Sequence, residues 1–265
     1  MTDELKITIV QTNIHWENKN ENTEMFSRII RNMAQNTDLV ILPEMFSTGF
    51  SMQPALLAEY INGPTVSWMS KIAREYNAVI TGSIIIREKN KFLNRLIWMP
   101  PDGNLKYCDK RHLFRMGEET QYYSRGNKKL ITSWKGWRFR PLVCYDLRFP
   151  VWSRNRNDYD MLIYVANWPE ARRKVWKNLL VARALENQVY VVGVNRIGVD
   201  GRDISYAGES MIVNPRGNIV SEISAHKESV ETISVSLDDL ITFREKFPVH
   251  LDADNFRIKP ETRNP

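Results

Sequence analysis

Short apolar runs alternate with amphipathic segments along this sequence, and that alternation restricts the possible fold more than any other feature. Residues 39–42 are all aliphatic and are followed by Pro43, as is typical of a strand that is buried on both faces. The segment before it, from about Asn22 to Ala34, repeats apolar side chains at helical spacing. The same reasoning predicts helices at 64–76, 170–187 and 237–247, and strands at 7–11, 79–86, 94–99, 105–108, 137–144, 161–166, 189–194, 211–213, 219–223 and 230–235. Strands that alternate with helices predict an α/β layered fold.

Two turn sequences indicate hairpins, so the sheets cannot be purely parallel. Asp102-Gly103 separates the strands predicted at 94–99 and 105–108, and the segment 214–218 (NPRGN) separates those at 211–213 and 219–223. We expect either a mixed sheet or two stacked sheets with helices outside. The chain has no low-complexity linker or fixed-period repeat, which predicts a single domain over 1–265. Its polar residues from about 248 to 265 are expected to form an extended C-terminal extension.

Composition and charge narrow the class of protein. The chain is 43% apolar and 26% charged, which provides for a sizeable core. Residues 1–6 carry acidic side chains, no apolar signal segment follows, and no run approaches the ~18–20 apolar residues of a spanning helix. We therefore expect a cytoplasmic protein that does not bind membranes. The net charge of +6 is spread along the chain, and 135–140 (KGWRFR) is the nearest approach to a basic and aromatic patch, so no nucleic-acid partner is expected.

Three predicted strands end in a reactive side chain. Glu44 follows the strand at 39–42, Lys110 follows the one at 105–108, and Cys144 ends the one at 137–144. Binding sites in open α/β sheets form at the carboxyl ends of strands. We therefore expect these side chains to converge on one pocket, although the chain places them far apart.

The residues around these side chains resemble the nitrilase superfamily, the carbon–nitrogen hydrolases. The resemblance lies in 42–46 (LPEMF), 110–114 (KRHLF) and 144–150 (CYDLRFP), with further matches at 166–169, 182–188, 193–198 and 214–217. It implies a four-layer α-β-β-α sandwich with two mixed sheets, usually paired into a homodimer. It also implies an enzyme that uses neither a metal nor an organic cofactor.

Within that superfamily the sequence is similar to the omega-amidase branch. The matching segments are 43–52 (PEMFSTGFSM), 110–116 (KRHLFRM) and 243–248 (FREKFP). This similarity implies a cysteine-dependent amidase that hydrolyses the terminal amide of small 2-oxoacid amides, such as 2-oxoglutaramate and 2-oxosuccinamate, through a thioester. The alternatives are another carbon–nitrogen hydrolase (a nitrilase, an N-carbamoyl amidohydrolase or an aliphatic amidase) and a catalytically idle binding module.

Amide hydrolysis assigns a role to each reactive residue. Cys144 is the predicted nucleophile, and Glu44 is the base that takes the thiol proton and returns it to departing ammonia. Lys110 cannot act as a base while it is charged, so we expect it to stabilise the oxyanion together with the backbone N–H of Tyr145. The resemblance implies a second glutamate that orients Lys110. Glu119 matches it, although the adjacent Glu118 leaves the register open.

An arginine can bind the carboxylate of a 2-oxoacid through two parallel hydrogen bonds. Arg172 is the first candidate for this role, and Arg173 is the next. Phe114, Met116 and Trp168 are candidate walls of the substrate pocket. Arg148 is expected to be a structural ion-pair partner of a nearby carboxylate.

Two other chemistries receive little support from the sequence. A papain-like hydrolase needs a histidine partner in a different context, and His112 is expected to be a hydrogen-bonded residue below the site. No pair of histidines has the i, i+4 spacing of a zinc site, so no metal is predicted. Cys108 lies within a predicted strand beside Asp109, whose negative charge disfavours a thiolate, and we therefore expect Cys144 to be the reactive cysteine.

Overall fold

A computed structural model describes residues 4–33 and 36–258 of the chain. The helices are α1 (Lys19–Arg31), α2 (Pro54–Leu57), α3 (Pro64–Tyr76), α4 (Glu119–Tyr122), α5 (Pro150–Ser153), α6 (Arg173–Asn187) and α7 (Leu237–Lys246). The strands are β1 (Glu4–Gln11), β2 (Leu39–Ile41), β3 (Val79–Glu88), β4 (Lys91–Met99), β5 (Lys106–Asp109), β6 (Thr132–Trp134), β7 (Trp137–Val143), β8 (Met161–Ala166), β9 (Tyr190–Asn195), β10 (Ile197–Val199), β11 (Ser205–Ala207), β12 (Met211–Val213) and β13 (Ser229–Ser236).

The strands form two large mixed sheets. The first has the order β13-β1-β2-β3-β4-β5, and the second has the order β12-β9-β8-β7-β6. In the first sheet β1, β2 and β3 are parallel, while β13, β4 and β5 pair antiparallel. In the second, β7, β8 and β9 are parallel and the outer strands β6 and β12 are antiparallel. A separate ribbon, β10–β11, follows β9.

The two sheets pack face to face, and the residues of β2 explain how the strand is buried on both sides. Leu39 and Ile41 point into the core between the sheets, because successive side chains of a strand alternate between faces. Trp98 of β4 and Phe139 of β7 meet across this layer with their ring centroids 4.9 Å apart. The aliphatic run that predicted a doubly buried strand therefore reflects its place between two cores.

Helices cover the outer face of each sheet. Val40 and Leu42 lie in a second core together with apolar residues of α1 and α3. On the far side, Trp176 and Leu180 of α6 pack against the second sheet. The layers are thus helix, sheet, sheet and helix, and the predicted α-β-β-α sandwich is confirmed.

The second predicted hairpin is only partly formed. Residues 219–223 were expected to be a strand, but Ile219 makes a single bridge with Val213. The pairing ends because the Ser221 hydroxyl accepts the Ile212 N–H at 2.9 Å, in place of a backbone carbonyl. The first predicted hairpin is present as β4 and β5.

The end of helix α1 and the C-terminal segment also differ from the predicted pattern. Helix α1 ends at Arg31, and the predicted end at Ala34 lies outside the described residues. The C-terminal extension was expected to be extended, and within it Val249–Asp252 forms a 3-10 turn. Its residues 259–265 lie outside the described part. Among residues 4–33 and 36–258, every helix is too short or insufficiently apolar to cross a bilayer.

Candidate active site

Three segments that follow β2, β5 and β7 bring Glu44, Lys110 and Cys144 to one cavity. Glu44 is fully buried, Lys110 is 1% exposed and Cys144 is 8% exposed. The first two residues come from the first sheet and the third from the second sheet. The cavity therefore lies where the two sheets meet, and the three side chains converge on it as the strand-end pattern predicted.

The turn after β2 aims the Glu44 carboxylate at the cavity. Pro43 ends the strand, and the next residue after the glutamate, Met45, has a left-handed backbone with φ 43°. The Ser83 hydroxyl accepts the Met45 N–H at 2.9 Å, and the Ser83 carbonyl accepts the Phe46 N–H at 3.1 Å. Strand β3 thus fixes this turn, and with it the direction of the carboxylate.

Both oxygens of the Glu44 carboxylate accept hydrogen bonds. Lys110 Nζ lies 2.9 Å from Oε1, and Asn94 Nδ2 donates to the same oxygen at 2.8 Å. The Asn167 backbone N–H donates to Oε2 at 2.8 Å. These donors satisfy a charged group that would otherwise be costly to bury.

Lys110 lies between two carboxylates. Its ammonium is 2.9 Å from Glu44 Oε1 and 2.9 Å from Glu119 Oε2. Burial opposes the ammonium charge, but the Glu119 and Glu44 carboxylates outweigh burial and raise the pKa of Lys110. Lys110 is therefore charged at neutral pH. An ammonium has three N–H donors, so one remains for a third acceptor.

The structure distinguishes the two adjacent glutamates. Glu119 is fully buried and accepts the Phe114 N–H at 2.6 Å in addition to Lys110. Burial, together with the nearby Glu44 charge, raises the pKa of Glu119 despite the opposing effect of Lys110. Glu118, with φ 63°, turns outward and lies 3.5 Å from Arg202 at the cavity mouth. Glu119 is thus the residue that contacts the ammonium.

A sharp turn presents the Cys144 thiol. Cys144 has a left-handed backbone with φ 44° and begins the 3-10 turn Cys144–Arg148. Asp146 holds this turn by accepting the Val143 N–H at 3.2 Å. It also accepts the His112 N–H at 2.9 Å, and His112 Nδ1 lies 2.7 Å from it. His112 therefore links the segment after Lys110 to the cysteine turn, as a hydrogen-bonded residue beside the site.

The surroundings of the Cys144 thiol favour its protonated form. Burial and the nearby Glu44 carboxylate raise its pKa well above the ordinary value, and Lys110 only partly offsets them. Its Sγ lies 3.8 Å from the Asn167 carbonyl oxygen. Nucleophilic attack by this sulfur requires removal of the thiol proton, and the Glu44 carboxylate is the adjacent proton acceptor.

Cys108 is in a different environment. It belongs to the core between the sheets, and its Sγ lies 3.5 Å from the Pro141 carbonyl oxygen. Burial and the Asp146 and Asp109 charges raise its pKa. Both cysteines are free thiols.

The cavity has a volume of about 150 Å³, which suits a small molecule. Phe114, Met116, Trp168 and Arg172, the predicted substrate-binding residues, all line it. The Arg172 guanidinium lies 5.1 Å from the Phe114 ring centroid. Trp168 is buried and donates its Nε1–H to the Arg172 carbonyl, whereas Met116 is 81% exposed at the mouth. Tyr145 also lines the cavity, directly after the cysteine.

Two other arginines near the cavity differ in their contacts. Arg148 was expected to pair with a carboxylate, but it makes no ion pair among the described residues. Arg148 lines the cavity, and its guanidinium lies 5.3 Å from the Trp168 ring centroid. Arg173 points away from the cavity and forms an ion pair with Glu209 at 2.8 Å.

Sequence analysis missed two residues, Asn94 and Asn167. Asn94 is a fully buried polar residue among the apolar side chains of strand β4, beside Arg95, and a polar residue at such a position is a signal that could have identified it. Asn167 follows β8 and so repeats the pattern of a polar residue at a strand end. Besides its backbone bond, its Nδ2 donates to the Glu44 carbonyl at 2.6 Å.

A comparison with known families identifies the chain. The model of the carbon–nitrogen hydrolase family matches residues 6–245. The chain belongs to the carbon–nitrogen hydrolase family. The resemblance predicted from the segments around Glu44, Lys110 and Cys144 is therefore confirmed. Among the described residues of this carbon–nitrogen hydrolase, no group of three or more His, Cys, Asp or Glu side chains is arranged to hold a metal ion.

Individual relatives match over almost the full length. The chain is 44% identical to omega-amidase YafV of Escherichia coli (strain K12), over 96% of this chain and 98% of the relative. It is 30% identical to 2-oxoglutaramate amidase of Bacillus subtilis (strain 168), over 93% of this chain and 96% of the relative. The crystal structure of XC1258 from Xanthomonas campestris, a CN-hydrolase superfamily protein with an arsenic adduct in the active site, is 44% identical. It superposes with a TM-score of 0.94 and covers 97% of this chain and 99% of its own.

Proposed function

We propose that this carbon–nitrogen hydrolase is a cysteine-dependent omega-amidase, which hydrolyses the terminal amide of 2-oxoglutaramate and 2-oxosuccinamate to the acid and ammonia. The observation that carries this proposal is the meeting of Glu44, Lys110 and Cys144 in one small cavity that Arg172 lines. The relatives support the substrate class, because two of them are an omega-amidase and a 2-oxoglutaramate amidase.

In the first half of the proposed reaction, Cys144 Sγ attacks the amide carbonyl carbon while Glu44 accepts the thiol proton. The new S–C bond places a negative charge on the carbonyl oxygen. Glu44 then delivers the proton to the amide nitrogen as the C–N bond breaks. Ammonia leaves, and the acyl group remains on the sulfur as a thioester.

The oxyanion requires donors that are already in position. Lys110 holds two carboxylates with two of its N–H groups, so its third N–H remains for the oxyanion. We assign the second donor to the backbone N–H of Tyr145, which follows the nucleophile directly. Glu119 would keep the ammonium in this orientation, because its carboxylate is a second acceptor for Lys110 beside Glu44.

In the second half, a water molecule enters the space that ammonia leaves. Glu44 takes a proton from this water, whose oxygen attacks the thioester carbonyl carbon. The C–S bond then breaks, and the proton held by Glu44 returns to the sulfur. The acid leaves with the water oxygen, and the site regains its neutral thiol and its carboxylate.

The substrate carboxylate is assigned to Arg172. Arg172 lines the cavity with its guanidinium 5.1 Å from the Phe114 ring centroid, and it has no ion-pair partner among the described residues, unlike Arg173. A planar guanidinium can bind a carboxylate through two parallel hydrogen bonds. Phe114, Met116 and Trp168 would form the walls around the short carbon chain between the two ends of the substrate.

The test is ammonia release from a panel of compounds: 2-oxoglutaramate, 2-oxosuccinamate, glutamine, a short nitrile and an N-carbamoyl amino acid. We expect kcat/KM to be highest for the two 2-oxoacid amides. Glutamine is the sharpest control, because it differs from 2-oxoglutaramate by an amino group in place of the oxo group. Preference for the nitrile, the carbamoyl compound or glutamine would contradict the proposal.

We further propose that the enzyme acts in the cytoplasm as a homodimer of subunits that each form a single domain. A reducing compartment suits its two free thiols. Exposed apolar side chains on α6 and the segment after α7 support pairing of subunits, since Leu185 is 51%, Phe247 61% and Leu251 74% exposed. A monomeric mass in light scattering would contradict the dimer.

A further inference from the structure

Asn94 occupies the centre of the charged cluster, yet it has no charge and no part in the proposed proton transfers. Its side chain is fully buried on β4. Its Nδ2 lies 2.8 Å from Glu44 Oε1 and 3.3 Å from Glu119 Oε1. The two hydrogens of one amide group thus reach both carboxylates that hold Lys110.

The orientation of this amide follows from its neighbours. If the amide were turned over, its oxygen would face two carboxylate oxygens, and like partial charges would repel. In the orientation observed, Oδ1 accepts no hydrogen bond from the described residues, which is a cost for a buried oxygen. The Asn94 side chain therefore donates both N–H groups to the carboxylates, although its own oxygen is left without a donor among the described residues.

The charge balance explains why such a donor is needed. Two carboxylates surround one ammonium, so the buried cluster carries an excess negative charge when both are ionised. Asn94 supplies two N–H donors to this cluster without adding a charge. Its backbone carbonyl also accepts the Lys110 N–H at 2.9 Å, so the same residue fixes the lysine main chain.

We infer that Asn94 is a positioning residue that holds Glu44 in place as the proton acceptor of Cys144 by donating to both carboxylates of the cluster. This inference rests on the proposed function, because it assumes that Glu44 removes the Cys144 proton. Four other titratable groups interact electrostatically with these carboxylates, and substitution of Asn94 leaves all four in place. They are Lys110, Cys144, Tyr123 and Tyr206.

The test compares Asn94→Asp and Asn94→Ala with the wild type in the pH dependence of kcat/KM for 2-oxoglutaramate. Either change removes the donors, so the carboxylates take up protons more readily. We expect kcat/KM at neutral pH to fall about 10- to 100-fold. The acidic limb of the profile should move to higher pH by about one unit in Asn94→Ala, and further in Asn94→Asp.

Asn155→Asp is the matched control, since Asn155 is a buried asparagine that bonds to Tyr159 and Asn187 away from the cavity. It introduces a buried carboxylate of the same kind and should leave the acidic limb in place. If Asn94→Asp does not fold, Asn94→Ala decides the question. A loss of rate with an unmoved acidic limb would show a merely structural role and overturn the inference, as would unchanged kinetics.

A second readout separates this inference from the substrate assignment. Iodoacetamide alkylates a thiolate with loss of iodide, and its rate at Cys144 depends on removal of the thiol proton rather than on the substrate. This alkylation rate is to be measured against pH by mass spectrometry in a Cys108→Ala background, where Cys144 is the one remaining cysteine. Inactivity of the wild type on 2-oxoacid amides would overturn the proposed substrate only. An alkylation profile that Asn94→Ala leaves unchanged would overturn the role of Asn94.

Discussion

Replacement of Lys110 by methionine provides the most demanding test of the buried cluster. The side chains have similar length, so the change removes the charge with little change in packing. Lys110 Nζ lies 2.9 Å from one oxygen of each partner, Glu44 and Glu119, and these groups are at most 1% exposed. At an effective dielectric constant of about 20, each contact contributes about 6 kcal/mol of Coulomb attraction.

Desolvation of the ammonium offsets much of that attraction, so the net effect is smaller. Removal of one partner from a buried ion pair costs about 3–5 kcal/mol, because the remaining charge is left uncompensated. We expect Lys110→Met to lower the free energy of unfolding by that amount at pH 7.5. For a chain of this size it corresponds to a fall of about 6–20 °C in melting temperature. Loss of an oxyanion donor should also lower kcat by about 10²–10³-fold.

The pH dependence of this loss has a definite sign. Because the folded-state pKa of Lys110 is raised, its stabilising effect is fully present below the unfolded pKa of about 10.4 and is lost only as pH rises through the folded value. In the variant, the unpaired carboxylates take up protons on acidification, and the folded state then binds more protons than the unfolded state. The stability difference from wild type should therefore shrink from pH 8 to pH 5.5.

Urea unfolding at the two pH values measures both effects. Lys135→Met is the matched control, because Lys135 also pairs with a carboxylate, that of Asp38, but is 47% exposed. An exposed ion pair contributes about 0–1 kcal/mol, so this variant should resemble the wild type. Equal losses in the two variants, or a difference that widens toward acidic pH, would refute the buried-cluster argument.

Two further substitutions test the assignments of residues. Cys144→Ala should reduce ammonia release to the assay background while Cys108→Ala retains most of it, as measured with 2-oxoglutaramate, and equal losses would contradict the choice of nucleophile. Arg172→Ala should raise KM for 2-oxoglutaramate about 10- to 100-fold, since it removes charge-assisted hydrogen bonds, and change KM for a neutral short amide little. Arg173→Ala is the control for the second change, because its guanidinium pairs with Glu209, and the tail-binding role fails if both variants behave alike.

Apolar patterns were sufficient to predict most strands and helices and an α/β layered fold, but they left a single mixed sheet and two stacked sheets both open. The resemblance to the nitrilase superfamily supplied the four layers. The run at 39–42 predicted a doubly buried strand, and the structure shows it between two cores. The strand predicted at 219–223 failed because one side chain, Ser221, takes over a backbone partner, and apolar periodicity carries no information on such a replacement. The short ribbon β10–β11 is missing from the prediction for a similar reason, since strands of this length have almost no period to detect.

Residue pattern alone indicated the site where a reactive residue follows a strand, and Glu119 was indicated only by the family resemblance. Glu44, Lys110 and Cys144 fit that pattern, whereas Asn94 lies inside a strand and gave no such signal. The choice between Glu118 and Glu119 could not be made from the sequence, because a left-handed turn at Glu118 decides which of them points inward. Backbone conformation at one residue is set by the surrounding chain, and no local pattern specifies it here.

Glu44 and Cys144 lie far apart in the sequence, yet each is presented by a similar turn at the end of a strand, one turn in each sheet. Met45 and Cys144 both adopt left-handed backbone conformations, which residues other than glycine rarely occupy. Each turn therefore needs hydrogen bonds from neighbouring side chains to stabilise it. Ser83 supplies it for the glutamate turn and Asp146 for the cysteine turn. Ser83 lies on β3 beside the glutamate turn, and Asp146 belongs to the 3-10 turn that follows β7, so each turn is supported by its own sheet or segment. The packing of the two sheets brings the turns face to face, and hydrogen bonds from Asn167 to Glu44 and from His112 to Asp146 join the two sides. The geometry of the site therefore depends on the core between the sheets.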